Sequence, residues 1–298
     1  MSDELTSILE QQTACLPQPS LNQAGFCFLS DWRYLIVEGE DAASFLQNLL
    51  TNDVNQCQPG QAQLTGFCQA KGRLLGIFWL IRNPDNFFLV LSADQQDFIR
   101  QRLDMFRLRS KITIQNGGQP VIGFLDQTTP LPDTAQIQNN LAIAVMDTDI
   151  LAKLIEETTL IPRAQADWQT RLVKAGLPQI YAITREKFTA QQVNLDTAGG
   201  VSFRKGCYPG QEVVARLHYL GEAKRRLFTG FVQTEYDFSV GEDILTEDGS
   251  IAGQLVQYGV AENNTWILQM TLKLSMAEHT LKLADGTPIK QVSPLPRD

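Results

Sequence analysis

The strongest chemical signal lies in one stretch, Gly199-Gly-Val-Ser-Phe-Arg-Lys-Gly-Cys-Tyr-Pro-Gly-Gln-Glu-Val-Val-Ala-Arg216, which sets four glycines and a proline around a single cysteine. Glycine at this density marks backbone that must turn tightly or approach another group closely. Pro209-Gly210 turns the chain, and Gln211 to His218 has helical character that Gly221 ends. Cys207 then falls just before a helix N-terminus, near Arg204 and Lys205. Unpaired N–H groups and cations both favour a thiolate, so the expected chemistry is that of a reactive sulfur. The plainer reading is a small apolar side chain in a tight turn.

Other reactive constellations are missing. The remaining cysteines, Cys15, Cys27, Cys57 and Cys68, form no CxxC pair, and an odd total of five scattered thiols is no disulfide framework. No metal-ligand spacing, G-x-G-x-x-G run or Walker lysine is present. Of the two histidines, His279 reads as structural. His218 falls on the motif helix, where a place in a site wall is the alternative, and neither fits a Ser-His-Asp or Cys-His-Asn order.

The elements that must position this segment follow from apolar patterning. Tyr34 to Val37 reads as a strand, and Asp41 opens a helix presenting Ala42, Phe45, Leu46, Leu49 and Leu50. Strands are expected at Leu64 to Cys68, Leu74 to Ile81 and Phe87 to Leu91, joined by turns at Lys71-Gly72 and Asn83 to Asn86. A helix follows over Asp94 to Met105, then short strands at Lys111 to Ile114, Val121 to Leu125 and Leu141 to Val145. Helices are expected near Ile150 to Glu157 and at Gln165 to Lys174, the latter stopped by Gly176 and Pro178. Beyond Gly221, β-forming runs at Leu227 to Gln233, Ile251 to Tyr258, Trp266 to Met270 and His279 to Leu283 predict a small antiparallel barrel. The class is α+β rather than a doubly wound parallel sheet, with domains at 24–220 and 221–298.

The 298 residues, 43% hydrophobic and 19% charged, describe a globular chain with room for more than one core. The longest apolar run, Leu74 to Ile81, is far shorter than the ~20 residues of a membrane span. Met1-Ser-Asp-Glu-Leu5 has neither the basic nor the apolar region of a secretory leader, so a cytoplasmic location is expected. Net charge is −8, and residues 227–298 carry ten acids against four bases. That balance opposes bulk attraction to nucleic acid. Arg100, Arg102, Arg107, Arg109 and Lys111, with Lys224-Arg225-Arg226, could contact nucleic-acid phosphates, but a solvated face is the better reading.

The run Lys205-Gly-Cys-Tyr-Pro-Gly-Gln-Glu212, continuing to Arg216 and Gly221, closely resembles the K-G-C-Y-x-G-Q-E signature of the YgfZ family. Further pieces match in order: Asp31-Trp32, Asp53-Val54, Cys68-x-Ala70-Lys-Gly-Arg73, Trp168 ahead of Ala175-Gly-Leu-Pro178, and Asn194-Leu195 ahead of Gly199-Gly200. The resemblance covers roughly residues 24 to 298, with one departure at Ala190, where relatives usually carry proline. It implies a relative of the glycine-cleavage T-protein: two intertwined α+β lobes and a C-terminal barrel around a central opening. It also implies folate binding and a link to iron–sulfur cluster assembly and tRNA modification.

By the same resemblance the folate-associated tryptophans fall on Trp32 and Trp168. A folate's glutamate tail calls for cations, and Arg73, Arg204, Lys205 and Arg216 are the candidates. The T-protein's catalytic aspartate has no counterpart in Gly72-Arg-Leu-Leu-Gly-Ile-Phe78, so aminomethyl transfer is not expected. The leading expectation is an accessory factor that binds tetrahydrofolate or a one-carbon derivative. Its Cys207 would support Fe–S assembly or repair in client enzymes, such as radical tRNA-thiolating enzymes, by transient thiol, persulfide or cluster exchange. The alternative is a folate-dependent one-carbon transferase or demethylase, for which Glu212 and Asp196 are the nearest acids.

Overall fold

The computed structural model describes residues 12, 15–18, 21–128, 130–138, 140–221, 223–261 and 264–295. The stretch Met1 to Leu5 lies outside them, as does much of the polar lead-in. The chain divides into two compact units that alternate along the sequence. The first comprises the described residues up to Ala43, Gln56–Gln63 and Trp79–Trp168; the second comprises Ser44–Asn55, Leu64–Phe78 and the described residues from Gln169.

In the first unit, β1 (Gly25–Phe28), β7 (Val121–Leu125), β8 (Ala135–Ile137), β9 (Leu141–Val145) and β10 (Ile161–Pro162) form a sheet in the order β10-β1-β7-β9-β8. β1 pairs antiparallel with β7 and parallel with β10, so the sheet is mixed. Helix α3 (Thr148–Glu156) is capped by the Asp147 side chain, which accepts from Asp149 N–H. Its Leu151 and Leu154 join Phe26, Phe28, Ile122 and Phe124 in one core.

A second sheet has the order β3-β4-β5-β2-β6, built from β2 (Trp32–Glu38), β3 (Ala62–Cys68), β4 (Leu74–Arg82), β5 (Asn86–Ser92) and β6 (Thr113–Asn116). The chain passes between the units within β3 and within β4. β4 has eight consecutive buried residues, which is why its sequence is a continuous apolar run rather than an alternating one. Helix α1 (Ala42–Gln47) follows β2, and all five apolar residues assigned to it from the sequence are buried. α2 (Gln96–Arg107) carries Ile99 and Leu103 on its buried face.

The second unit contains a closed barrel of β11 (Arg225–Gln233), β14 (Thr265–Lys273), β13 (Ile251–Val260), β12 (Asp243–Thr246), β15 (Leu281–Lys282) and β16 (Pro288–Pro294), in that order. Its pairings are all antiparallel. Phe228, Leu255, Leu268, Met270 and Leu272 fill its interior. The α+β class and the small C-terminal barrel agree with the sequence reading. No helix among the described residues is long and apolar enough to cross a membrane.

Candidate functional site

The signature segment belongs to the second unit and is built around a buried ammonium. After α1 the chain turns through Asn48 to Asp53, and backbone carbonyls of this turn converge on Lys205. Lys205 Nζ donates to the carbonyls of Gln47 at 2.5 Å, Leu50 at 2.6 Å and Asn52 at 2.9 Å. The first of these caps the C-terminal end of α1, where a cation also meets the favourable end of the helix dipole. Burial pulls the Lys205 pKa down to about 8, and the nearby Asp53 carboxylate opposes that shift.

The same turn is held to the Gly-Gly loop that precedes the signature. Thr51 Oγ1 donates to Gly200 O at 2.6 Å and accepts from Gly66 N–H at 2.7 Å. Asn52 Nδ2 donates to Gly199 O at 2.7 Å and Leu64 O at 2.8 Å. Thr51 and Asn52 were not singled out from sequence. The available signal was a polar Thr-Asn-Asp run directly after an apolar helix, the composition of a segment that satisfies loose backbone groups.

Lys205 and Tyr208 are both buried, whereas Gly206 and Cys207 between them are exposed. The Lys205 ammonium lies 5.4 Å from the Tyr208 ring centroid, a cation–π contact. Burial and the neighbouring Cys68 push the Tyr208 phenol above its ordinary range. Gly210 then opens helix α5 (Gln211–Tyr219) at φ +81°, and a Cβ there would lie 2.6 Å from the Gln69 carbonyl oxygen. Glycine is therefore required at this position, because two turns of backbone meet there.

The candidate residues are placed as follows. Cys207 is the one exposed cysteine of the five. Arg204 and Arg216 are exposed, and their side chains have no hydrogen-bond or salt-bridge partner among the described residues. Arg73 is exposed and donates to the carbonyls of Lys187 and Glu186 at 2.5 and 3.3 Å. Lys205 corrects the sequence reading: its ammonium faces inward onto three carbonyls, so it is neither an entrance cation nor a free charge flanking the thiol. Asp196 is tied to Arg226, whose Nη1 lies 2.8 and 2.9 Å from its two oxygens. That pairing argues against Asp196 as a general base, while Glu212 is exposed on the first turn of α5.

Trp32 and Trp168 lie in the first unit, with ring centroids 6.5 Å apart in an edge-to-face contact. Trp168 is fully buried, and a Cβ on Gly123 would lie 2.6 Å from its ring. Trp32 is only 4% exposed. Both are core residues of that unit, and the Trp168 indole N–H has no acceptor among the described residues.

The thiols separate sharply by environment. Burial raises the pKa of Cys27 and Cys57 and pushes Cys68 up to about 12, against an ordinary value of 9.0. Cys15 is half-buried and donates to Pro162 O at 3.4 Å. Iodoacetamide at pH 8, read by peptide mass spectrometry, is expected to label Cys207 first and Cys15 more slowly. Cys27, Cys57 and Cys68 should react only on unfolding, at rates lower by on the order of 100-fold or more. Labelling of Cys68 at the Cys207 rate would contradict this arrangement. The raised pKa values also set an alkaline limit on stability. Above about pH 9 the unfolded chain releases thiol protons that the folded chain retains, so stability should fall as pH rises from about 9 towards 12.

Comparison with known proteins places these features in context. Residues 20–116 match the model of the GCVT N-terminal domain. The tRNA-modifying protein YgfZ of Aliivibrio fischeri is 30% identical over 220 residues, covering 67% of this chain and 69% of that protein. That of Colwellia psychrerythraea is 27% identical over 284 residues, covering 85% and 88%. Among solved structures, aminomethyltransferase T of the glycine cleavage system from Bartonella henselae superposes with a TM-score of 0.65. It is 13% identical and covers 97% of this chain and 88% of its own.

Proposed function

The chain belongs to the YgfZ family and carries the T-protein fold, and on that premise we propose that it is a folate-binding accessory factor in tRNA modification. The observation that carries the reading is the signature segment, where Cys207 stands exposed between the buried anchors Lys205 and Tyr208. An accessory role fits a single thiol. A stable Fe–S cluster takes about four protein ligands, whereas one cysteine provides one. Cys207 would act as a transient ligand on a cluster being assembled or repaired in a client enzyme. It gives up its S–H proton when it binds iron and regains one on release.

Bound tetrahydrofolate would bring a flat pterin ring and a carboxylate tail. The residues present suit the tail: the Arg204 side chain is exposed and has no partner among the described residues, and Arg73 has its fork only partly used by carbonyls. Guanidinium groups bind carboxylates in two-point geometry, which lysine cannot match. Lys205 serves this site by holding the loop, not by touching the ligand.

Two measurements test the proposal. Isothermal calorimetry with tetrahydrofolate should give saturable binding that Arg204→Gln weakens by roughly 10-fold, the effect of one lost charged hydrogen bond. Cells carrying Cys207→Ala should lose most of the activity of Fe–S-dependent tRNA-thiolating enzymes while the variant accumulates normally. Unchanged thiolation would remove the thiol from the mechanism, and absence of any folate binding would remove the cofactor.

A further inference from the structure

Around α5 the second unit exposes rings that packing alone does not require. His218 stacks on Phe203 with centroids 3.6 Å apart and planes 11° from parallel. Tyr219 stands edge-on to both, at 4.7 Å from His218 and 6.1 Å from Phe203. Phe203 is half-buried and backs the stack, His218 is exposed, and Tyr219 is 64% exposed. Most aromatic clusters lie in cores because their area is worth most out of water. This one keeps two of its three rings at the surface.

The charge around the cluster is opposite to that of the chain. Residues 202–226 hold six bases against two acids, whereas the whole protein has a net charge of −8. Two of those bases are committed internally, Lys205 to carbonyls and Arg226 to Asp196. Arg216, one turn before Tyr219 on the same face of α5, and Lys224 just beyond the helix remain exposed. Flat rings beside exposed cations suit a ligand that alternates flat rings with anions. We infer that the Phe203–His218–Tyr219 cluster is a stacking platform for unpaired bases of a single-stranded RNA segment, with Arg216 and Lys224 on its phosphates.

A duplex does not fit this surface, because its bases are already stacked and a narrow groove hides their edges. The inference rests on the reading above only for the choice of RNA as the polymer, and it needs neither folate nor the thiol. It is tested with Cys207→Ala protein, free of folate, and a fluorescein-labelled unstructured RNA of ~12 nucleotides, by anisotropy at low salt. Saturable binding is expected. Tyr219→Ala and His218→Ala should each weaken it by about 10-fold, and Tyr219→Phe should retain it. Lys224→Gln should lower the slope of log affinity against log salt by about 0.7. Circular dichroism of the variants checks that the helix persists.

Four results would overturn the inference: no binding at low salt, equal affinity for a blunt duplex, binding indifferent to Tyr219→Ala, or protection of Tyr219 by tetrahydrofolate without any RNA binding. The last would assign the platform to the pterin ring. Loss of folate binding or of the Cys207 phenotype would leave RNA affinity unchanged, so the two readings fail separately.

Discussion

Lys205→Met is expected to lower unfolding stability by about 3 kcal/mol and to move the urea midpoint down by roughly 1.5 M. Methionine fills a similar volume, so the effect isolates the loss of donors rather than a cavity. Three carbonyls now served by one ammonium, those of Gln47, Leu50 and Asn52, would lose that partner together. Lys205 is 9% exposed, so little water is at hand to replace it. Lys205→Arg should recover only part of the loss, since a planar guanidinium cannot direct three hydrogen bonds from one atom. Chemical denaturation of both variants decides the matter. A stability equal to wild type for Lys205→Met would mean that the turn is held by Thr51 and Asn52 alone.

The second large effect is in the first unit. Arg163, 2% exposed, donates through Nε to Asp167 at 2.9 Å and through Nη2 to Gln18 O at 2.6 Å. Its Nη1 lies 3.3 Å from the carbonyls of Leu21 and Gln23 and 3.7 Å from Asp126. Asp167 is itself 1% exposed and accepts from Gln18 N–H at 2.6 Å. Arg163→Leu would leave a buried carboxylate without its cation and strip three carbonyls of a donor, a loss of about 4 kcal/mol. Asp167→Asn should cost less, because it removes the charge but keeps an acceptor. The double variant should be clearly more stable than the sum of the two losses allows, which a double-mutant cycle measures. Strict additivity would show that the pair is not coupled.

These two sites show what was legible along the chain and what was not. Continuous apolar runs bounded by turns were read closely: β7 and β9 coincide with the expected strands, and β4 extends one residue beyond Ile81. Helix α4 (Gln165–Lys174) also matches, because Gly176 and Pro178 end it unambiguously. Five strands escape the sequence reading: β12 is only four residues long, and four others give no usable pattern. β1 is four buried residues without alternation, and β8 and β10 are shorter still. β16 begins and ends in proline, which argues against a strand unless a partner supplies the ladder. That partner is β11, more than 50 residues earlier, and its pairing with β16 closes the barrel.

The site divides in the same way. The Lys-Gly-Cys-Tyr run identifies the segment and its family, but not the direction in which Lys205 points. That depends on carbonyls more than 150 residues away in sequence. Trp168, on α4, is assigned to folate by resemblance alone, and only the fold shows that Gly123 of β7 packs against its ring. The platform on α5 needs Phe203 and His218 to meet across 15 positions, a contact no local period encodes.

By itself the amino-acid sequence determined the mixed α+β class, the barrel-forming texture after Gly221, the kinship and the one segment dense in glycine around a thiol. These follow from local propensity, turn chemistry and short motifs, all of which act between near neighbours. Only the tertiary structure decided which cations are available, which rings are accessible and how the barrel closes. A side chain's exposure and partners are set by whatever remote backbone packs beside it, and that information is spread over the whole chain.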